Sequence, residues 1–356
     1  MSAFTYDALP GRVVFGDGAA STQLLAEVDA FGARRILLIA GSSEADLARE
    51  LCAPFADRIA AEFTDVRPHV PVEVAERARA AAAGADLVLS VGGGSTTGTA
   101  KAVALTTGLP ILAVPTTYAG SEVTPVWGLT EENRKTTGTD RRVLPRTVVY
   151  DPDLTLTLPP ELSVASGLNA MAHCVEAFWA PRRNPVSSAV AAEGIRRLAA
   201  GLPAIAVDRA DSAARSDLLL GAYLAGSAFA VAGSGLHHKI CHVLGGAFDL
   251  PHAQTHAIVL PHVLAFNAPN APEAAGRIAV ALGQTDPVGG LHELGAKLGV
   301  PQGLKELGLA EGDLEAILDD ILALAPADNP RPVTPSGVRR LLHAAWAGTA
   351  PAGANA

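Results

Sequence analysis

The sequence predicts an α/β N-terminal domain, in which a parallel sheet has helices on both faces, followed by an all-α C-terminal domain. Its 356 residues exceed the roughly 250 to 300 at which single hydrophobic cores stop growing, which indicates two domains. Up to about residue 150, short β-rich runs alternate with alanine-rich stretches, as in strands joined by crossover helices. Beyond about residue 155 the β-rich runs disappear. We therefore expect domains at 1–155 and 156–356.

Five runs of the first domain read as strands because they are short, apolar and rich in branched side chains. They are RRILLIAG (34–41), AEFTDV (61–66), DLVLSVGGG (86–94), PILAVPTT (110–117) and RTVVYD (146–151). The segments 42–57 and 72–85 have apolar residues at three- and four-residue spacing, which predicts helices. The opening FTYDALPGRVVFG (4–16) is interpreted as a small hairpin.

The second domain is predicted to be entirely helical, with its helices separated by proline and glycine breaks. The boundary falls near DPDLTLTLPP (151–160). The predicted helices are 159–180, 184–206, 216–232, 235–248, 271–283, 290–300, 311–325 and 334–348.

The charge and composition exclude several functional classes. A net charge of −9 and a pI near 5.6 argue against a broad nucleic-acid interface, which requires clustered Lys and Arg. No uncharged apolar run reaches the length of a membrane span, and the N-terminus does not resemble a signal peptide, so we expect a cytoplasmic protein without a membrane partner. The three cysteines show no zinc-site pairing and are interpreted as buried small hydrophobic residues.

A glycine-rich turn marks a candidate dinucleotide site. Gly92, Gly93, Gly94 and Ser95 stand where a buried strand gives way to a helix, so that backbone N–H groups and the helix dipole can meet a phosphate. The spacing is not G-x-G-x-x-G, and a purely structural turn is the alternative. Polar residues and a small residue follow the neighbouring strands, at the edge where open α/β sheets bind ligands; the candidate cofactor contacts there are Thr116, Thr117, Gly41 and Ser42.

Six of the ten histidines fall within residues 235–262. Three pairs of polar residues have a spacing of four, which places each pair on one helix face. We expect the three pairs to converge on one cleft, with satisfied buried histidines as the alternative interpretation. The pairs are Asn169 with His173, His238 with His242, and His252 with His256.

Five motifs together resemble the iron-containing alcohol dehydrogenase superfamily over nearly the whole chain. They are GGGSTTGTAK, VPTTYAGSEVTPVWGLTE, KTTGTDRRVLPRTVVYDP, SGLNAMAHCVEA and GLHHKICHVLGGAFDLPHAQTHAIVLPH. The resemblance implies a dehydroquinate synthase-like fold with an NAD-binding first domain, an active site in the interdomain cleft, and a homodimer. Within the superfamily the motifs are most similar to those of the maleylacetate reductase group, which implies NAD(P)H-dependent reduction of maleylacetate to 3-oxoadipate in aromatic-compound degradation.

Two departures from the metal-dependent members bear on the chemistry that the resemblance implies. The positions that match their metal ligands, an aspartate and three histidines, are here Asn169, His173, His242 and His252, and Gly98 replaces a further family aspartate. A neutral amide is a poor ligand for a hard divalent cation, so no essential metal is expected.

The expected catalytic residues are histidines, because donors near a developing enolate oxygen can replace a Lewis acid. We expect His242 and His252 to be the oxyanion contact and proton donor, with His173, His238 and His256 orienting them or the substrate. A small dicarboxylate substrate needs polar and positive contacts, and the candidates are Asn169, Lys239, Tyr118 and Arg142.

Two other functions fit the same motifs. One is a metal-dependent alcohol or polyol dehydrogenase of the same superfamily, against which Asn169 counts. The other is a non-catalytic nucleotide-binding sensor. Because IAGSS (39–43) lacks an acidic residue directly after its strand, NADH is expected and NADPH is not excluded.

Overall fold

A computed structural model of the chain describes residues 4–9, 11–132 and 134–351. It divides into two compact units, one formed by residues 9–158 and the other by residues 159–356 with residues 1–8. The first is an α/β unit and the second is helical. The predicted fold class, an α/β domain followed by an all-α domain, is confirmed.

The first unit is built on a six-stranded parallel sheet. The strand order is β1-β8-β5-β4-β2-β3, and every neighbouring pair is parallel. The central strands are fully buried, as expected for a sheet covered on both faces. The strands are β1 (Arg12–Phe15), β2 (Ile36–Ala40), β3 (Ile59–Phe63), β4 (Leu87–Gly92), β5 (Ile111–Pro115) and β8 (Thr147–Tyr150).

The hairpin predicted for residues 4–16 is wrong. Among its described residues only Arg12–Phe15 form a strand, and this strand pairs in parallel with β8 at the edge of the sheet. The hairpin of this unit lies instead between β6 (Val126–Glu131) and β7 (Arg134–Thr139). The local sequence pattern could not predict this pairing, because the partner strand of β1 is more than 130 positions away.

Helices connect the strands and make up the whole second unit. In the first unit they are α1 (Ala19–Phe31), α2 (Ala45–Cys52), α3 (Val72–Ala81) and α4 (Gly94–Thr107). In the second they are α5 (Pro160–Glu176), α6 (Pro185–Val207), α7 (Ser212–Ala232), α8 (Leu236–Phe248), α9 (His252–Asn267), α10 (Pro272–Leu282), α11 (Pro287–Lys297), α12 (Asp313–Ala316), α13 (Leu318–Leu324) and α14 (Pro335–Ala347).

Two helical predictions need correction. The segment 311–325 forms two short helices, α12 and α13, rather than one, and α9 was not among the predicted helices. Proline at 261 lies inside α9, and an internal proline usually ends or kinks a helix, which explains why the pattern did not indicate one helix there.

No single helix in the described part of the chain is long and apolar enough to cross a membrane. Helices α7 and α8 meet that criterion of length and composition only when taken together, and they are bent by 100° relative to each other.

A buried lysine holds the segment that follows β5. The Nζ atom of Lys101, on α4, donates to the carbonyl oxygens of Ser121 (2.6 Å), Thr124 (2.8 Å) and Val126 (2.8 Å) and to the Thr124 hydroxyl (3.0 Å). Burial lowers the pKa of Lys101 to about 7, while the charge of Glu122 opposes this shift. The lysine therefore serves as an internal donor that satisfies otherwise unpaired backbone carbonyls.

We expect Lys101→Met to destabilise the protein by about 2 kcal/mol or more, because the replacement leaves several buried oxygens without a donor. Chemical denaturation followed by fluorescence measures the change. Lys297→Met removes a lysine whose side chain is 75% exposed and is the matched control. Equal stability of the two variants would show that Lys101 does not support this segment.

Candidate active site

The glycine-rich turn lies at the carboxyl edge of the parallel sheet. Gly92 ends β4 with a φ of 147°, a conformation that L side chains rarely adopt, and Gly93 is the N-cap residue of α4. A Cβ atom on Gly93 would lie 3.0 Å from the Thr117 side chain. Because α4 has no side-chain cap, the N–H groups of Gly94 and Ser95 remain available to an anion.

The neighbouring strand ends bring the other predicted cofactor residues to the same edge. The N–H of Thr116, after β5, donates to the Gly92 carbonyl at 3.2 Å. Gly41 follows β2, which pairs with β4 up to Val91, and Ser42 beside it is exposed. The predicted residues of the α/β unit therefore line one edge of the sheet.

An acidic side chain that the sequence analysis overlooked also lies at this edge. A Cβ on Gly41 would lie 2.7 Å from Oε2 of Glu44, which also accepts a hydrogen bond from the Ser43 hydroxyl at 2.8 Å. The residue directly after the strand is not acidic, but the turn before α2 places the side chain of Glu44 next to that residue. An acid in this place binds ribose hydroxyls and repels a 2′-phosphate.

Close packing against Val70 explains why position 98 is a glycine in this chain. A Cβ on it would lie 2.8 Å from Cγ2 of Val70, which itself has a φ of 51°. Thr130 holds that turn, since its N–H donates to the Val70 carbonyl (3.1 Å) and its hydroxyl to the His69 carbonyl (2.9 Å). Valine thus occupies space next to the position where the metal-dependent relatives have aspartate.

Three helices of the second unit bring the predicted histidines together. The ring of His173, on α5, stacks on that of His238, on α8, with centroids 4.8 Å apart and planes 15° apart. His238 lies 4.8 Å from His256, on α9, which lies 4.3 Å from His252. His242, one turn after His238, is 6.1 Å from it. The histidines of the three predicted pairs therefore form one continuous group of rings, which together with His237 we call the histidine cluster.

Two members of this region were missed by sequence reasoning. His237 adjoins the cluster, with its Nε2 atom 3.0 Å from Nδ1 of His256. Phe229, on α7, packs against both His173 (4.7 Å between centroids) and His238 (5.0 Å). The spacing rule joined only histidine and asparagine residues, so it did not select Phe229 or His237, whose partner four positions on is Cys241.

The third missed residue is Glu176, at the C-terminal end of α5. Its fully buried carboxylate lies 2.5 Å from Nδ1 of His238 and accepts the N–H groups of Gly235 (2.9 Å) and His237 (2.7 Å). These bonds cap α8, whose own N-cap residue offers no side chain. The signal in the sequence was the spacing of three from His173, within reach on one helix face.

Several buried polar atoms of these helices have no hydrogen-bond partner in the described protein. Within the described residues, five buried side-chain atoms here make no hydrogen bond: Asn169 Oδ1, His173 Nδ1, His237 Nδ1, His238 Nε2 and His256 Nε2. Each such atom costs about 1–3 kcal/mol when it stays unpaired, so a group of them is expected where a ligand provides the partners.

Burial decides the protonation of three of the rings. It lowers the pKa values of His173, His237 and His256 well below the usual value, and the neighbouring histidines lower them further. These imidazoles are neutral at neutral pH, which leaves them as orienting groups rather than acids.

His237, Cys241 and His256 form a fully buried subset whose possible ligand atoms lie within 4.8 Å of one another. The Cys241 Sγ atom is 3.8 Å from Nε2 of His237. Burial, together with the charge of Glu176, raises the pKa of the Cys241 thiol well above its usual value. A thiol that remains protonated is a poor nucleophile, so Cys241 is not proposed as one.

The predicted substrate contacts differ in availability. Lys239, on α8, is half-buried and forms no ion pair within the part of the chain that the structure describes. Arg142 is exposed and already paired with Asp140, their closest atoms being 2.6 Å apart. Tyr118 is fully buried, with its hydroxyl donating to Thr155 at 3.1 Å. Of these three, Lys239 is the one without a polar side-chain partner among the described residues.

The four positions that match the metal ligands of the family do not fit iron. Asn169 provides a neutral amide where the family has a carboxylate, and a hard divalent cation prefers anionic oxygen. Among the described residues, His237, Cys241 and His256 are the only three His, Cys, Asp or Glu ligand groups that gather within 4.8 Å. The carboxylate of Glu176 is bonded instead to the backbone N–H groups of Gly235 and His237 and to Nδ1 of His238.

Comparison with known proteins covers the whole chain. Family models for iron-containing alcohol dehydrogenase match residues 10–152, and for the C-terminal part of that family residues 163–346. The maleylacetate reductase of Sphingobium indicum is 49% identical over 98% of this chain and 99% of its own, and that of Burkholderia cepacia is 46% identical over 99% and 100%.

Solved structures agree with these matches. An iron-containing alcohol dehydrogenase from Corynebacterium glutamicum superposes with a TM-score of 0.96 at 51% identity, covering 99% of both chains. The maleylacetate reductase of Agrobacterium tumefaciens superposes with a TM-score of 0.94 at 41% identity, covering 99% of this chain and 100% of its own. This chain belongs to the iron-containing alcohol dehydrogenase family.

Proposed function

We propose that this protein is a maleylacetate reductase, which uses NADH to reduce the carbon–carbon double bond of maleylacetate and forms 3-oxoadipate. The observation that carries the proposal is the histidine cluster itself, which presents buried polar atoms without a hydrogen-bond partner among the described residues and has the neutral amide of Asn169 where a divalent cation would need an anion. Full-length relatives named maleylacetate reductase at 43–49% identity support it.

The substrate makes a metal dispensable. Hydride from the nicotinamide adds to the carbon β to the ketone, the π electrons move to the ketone oxygen, and an enolate forms. A proton then adds to the carbon between the ketone and the carbon that received hydride. This step completes 3-oxoadipate, and the cofactor is left as NAD⁺. Hydrogen-bond donors placed at the enolate oxygen stabilise this charge without a Lewis acid.

Three histidines, His238, His242 and His252, are the candidates for the enolate contact and the proton. The other three rings, those of His173, His237 and His256, are neutral for the reasons given above and are not proposed as acids. His242 and His252 keep the roles expected from the resemblance. His238 joins them because its Nε2 atom is buried and has no hydrogen-bond partner among the described residues, and its ring packs against those of His173 and Phe229.

The dicarboxylate needs a positive partner in an acidic protein. Lys239 follows His238 directly and has no acidic partner in the described chain, so its ammonium can meet a substrate carboxylate. The amide of Asn169, with its unpaired Oδ1, is a further polar contact.

The glycine-rich turn and Glu44 support NADH as the hydride donor. The free N–H groups at the start of α4 suit the pyrophosphate, and the Glu44 carboxylate beside Gly41 suits an unphosphorylated ribose. A cytoplasmic homodimer that acts in aromatic-compound degradation remains a prediction of the family resemblance.

Metal removal tests the reaction directly. We expect the purified protein to oxidise NADH in the presence of maleylacetate at an unchanged rate after exhaustive chelation, because no step requires a cation. Absorbance at the NADH band measures the rate. Loss of activity on chelation that returns with iron or zinc, especially with alcohol substrates, would identify a metal-dependent alcohol dehydrogenase, and binding of NADH without turnover would identify a sensor.

Replacing the histidines tests their proposed roles. We expect His238→Ala, His242→Ala and His252→Ala each to lower kcat by about a hundredfold, since each removes a contact that strengthens in the transition state. NADH affinity is expected to stay within about twofold. His343→Ala, on the exposed face of α14, is the control. Near-native kcat in all three variants would make the cluster a packing feature.

Glu44→Gln tests the cofactor preference. Removing the carboxylate removes like-charge repulsion toward a 2′-phosphate, so kcat/KM with NADPH is expected to rise by about tenfold relative to NADH. Glu50→Gln, an exposed carboxylate near the end of the same helix, is the control. An unchanged ratio of the two kcat/KM values would mean that Glu44 does not face the ribose.

A further inference from the structure

The buried carboxylate of Glu176 lies behind the histidine cluster rather than in it. We infer that Glu176 is a positioning residue for His238: it holds the proton of His238 on Nδ1 and thereby aims Nε2 of that ring at the substrate. The inference rests on the proposed function for its catalytic consequence. The contact between the two side chains stands independently of it.

Backbone N–H groups hold the carboxylate of Glu176 in one place. Glu176 is completely buried, and an unpaired charge in such a place is very costly. Its Oε1 atom accepts the His237 N–H at 2.7 Å, and its Oε2 atom accepts the Gly235 N–H at 2.9 Å. Both oxygens are thus fixed by the backbone at the start of α8, and the side chain cannot swing away.

A hydrogen bond joins the side chains of Glu176 and His238. Oε2 lies within hydrogen-bond distance of Nδ1 of His238, at 2.5 Å. A carboxylate that accepts two backbone N–H groups accepts here as well, so Nδ1 carries the hydrogen. Nε2 is then the atom left for a ligand, and it donates to the enolate oxygen or gives a proton from the doubly protonated ring, whose charge the carboxylate stabilises.

Two aromatic rings pack against the imidazole of His238. His238 is enclosed between His173, stacked at 4.8 Å, and Phe229 at 5.0 Å. These neighbours prevent the imidazole from rotating, and its Nε2 atom is buried without a partner in the described protein. A ring fixed on one side by a carboxylate and unpaired on the other is prepared for a ligand atom.

Gly235 provides independent support for the importance of the contact. Its φ of −106° is open to any residue, so backbone conformation does not require glycine here. A Cβ atom would lie 2.6 Å from Oε1 of Glu176. Glycine therefore leaves the space through which the carboxylate reaches α8, and Gly235→Ala displaces the carboxylate without removing it.

The test combines kinetics with the ring proton itself. In Glu176→Gln, we expect kcat for maleylacetate to fall by about tenfold to a hundredfold, with KM and NADH affinity within about twofold of the original values. Gly235→Ala is expected to reproduce this fall, and Glu176→Asp to restore part of kcat. Nitrogen-15 NMR of histidine-labelled protein, assigned with the His238→Ala variant, is expected to show Nδ1 protonation at His238 that is lost or weakened in Glu176→Gln.

The matched control removes another buried carboxylate. Glu27 is 4% exposed and accepts two bonds from Arg12 in the α/β unit. Glu27→Gln is expected to lower stability without changing kcat or the His238 signals.

Two results would overturn the inference. One is a native kcat in Glu176→Gln. The other is an unchanged Nδ1 signal at His238 in that variant with kcat, KM and stability all impaired in parallel, which would reduce Glu176 to a helix cap. If the unmodified protein does not reduce maleylacetate, the proposed function fails instead, and the NMR spectra still decide whether Glu176 sets the proton of His238.

Discussion

The buried carboxylate of Glu176 is the contact that joins the two helices carrying His173 and His238. It joins the end of α5 to the beginning of α8, and this junction sets His173 on one helix against His238 on the other. The alternative, an uncapped helix start in a dry interior, would leave several N–H groups unpaired. The histidine cluster is therefore a consequence of how one helix is capped.

The same solution occurs in the α/β unit. Helix α1 begins at Gly18 without a side-chain cap of its own, and the carboxylate of Asp151, after β8, accepts the N–H groups of Gly18 (3.0 Å) and Ala20 (2.9 Å). In both cases a glycine at the N-cap position is combined with an acid distant in sequence. Each unit thus fixes a helix by a long-range charge–dipole contact rather than by a local capping box.

How far the sequence predicts this protein depends on the range of the interaction. The strands of the sheet and the pairs of polar residues on α5, α8 and α9 follow from periodicity, because one chain segment contains the whole signal. The edge strand β1, the carboxylates of Glu176 and Glu44, and the unpaired atoms of the cluster depend on contacts that only the folded chain creates. A rule that looks for an acid directly after β2 fails because Gly41 leaves space for the side chain three positions later.

The distribution of charge in the cluster connects its structure with its chemistry. Asn169 provides a neutral amide where a divalent cation would need an anion, and the carboxylate of Glu176 is bonded to backbone N–H groups and to His238. The region consequently favours a partner that becomes negative during the reaction over a cation that is positive throughout. An enone is such a partner, because its oxygen gains charge only as hydride arrives. The alkoxide formed from a simple ketone is a stronger base than an enolate, because its charge stays on one oxygen, so it needs stronger stabilisation than donors of this kind provide. In the metal-dependent enzymes that the sequence resembles, a bound cation would supply it.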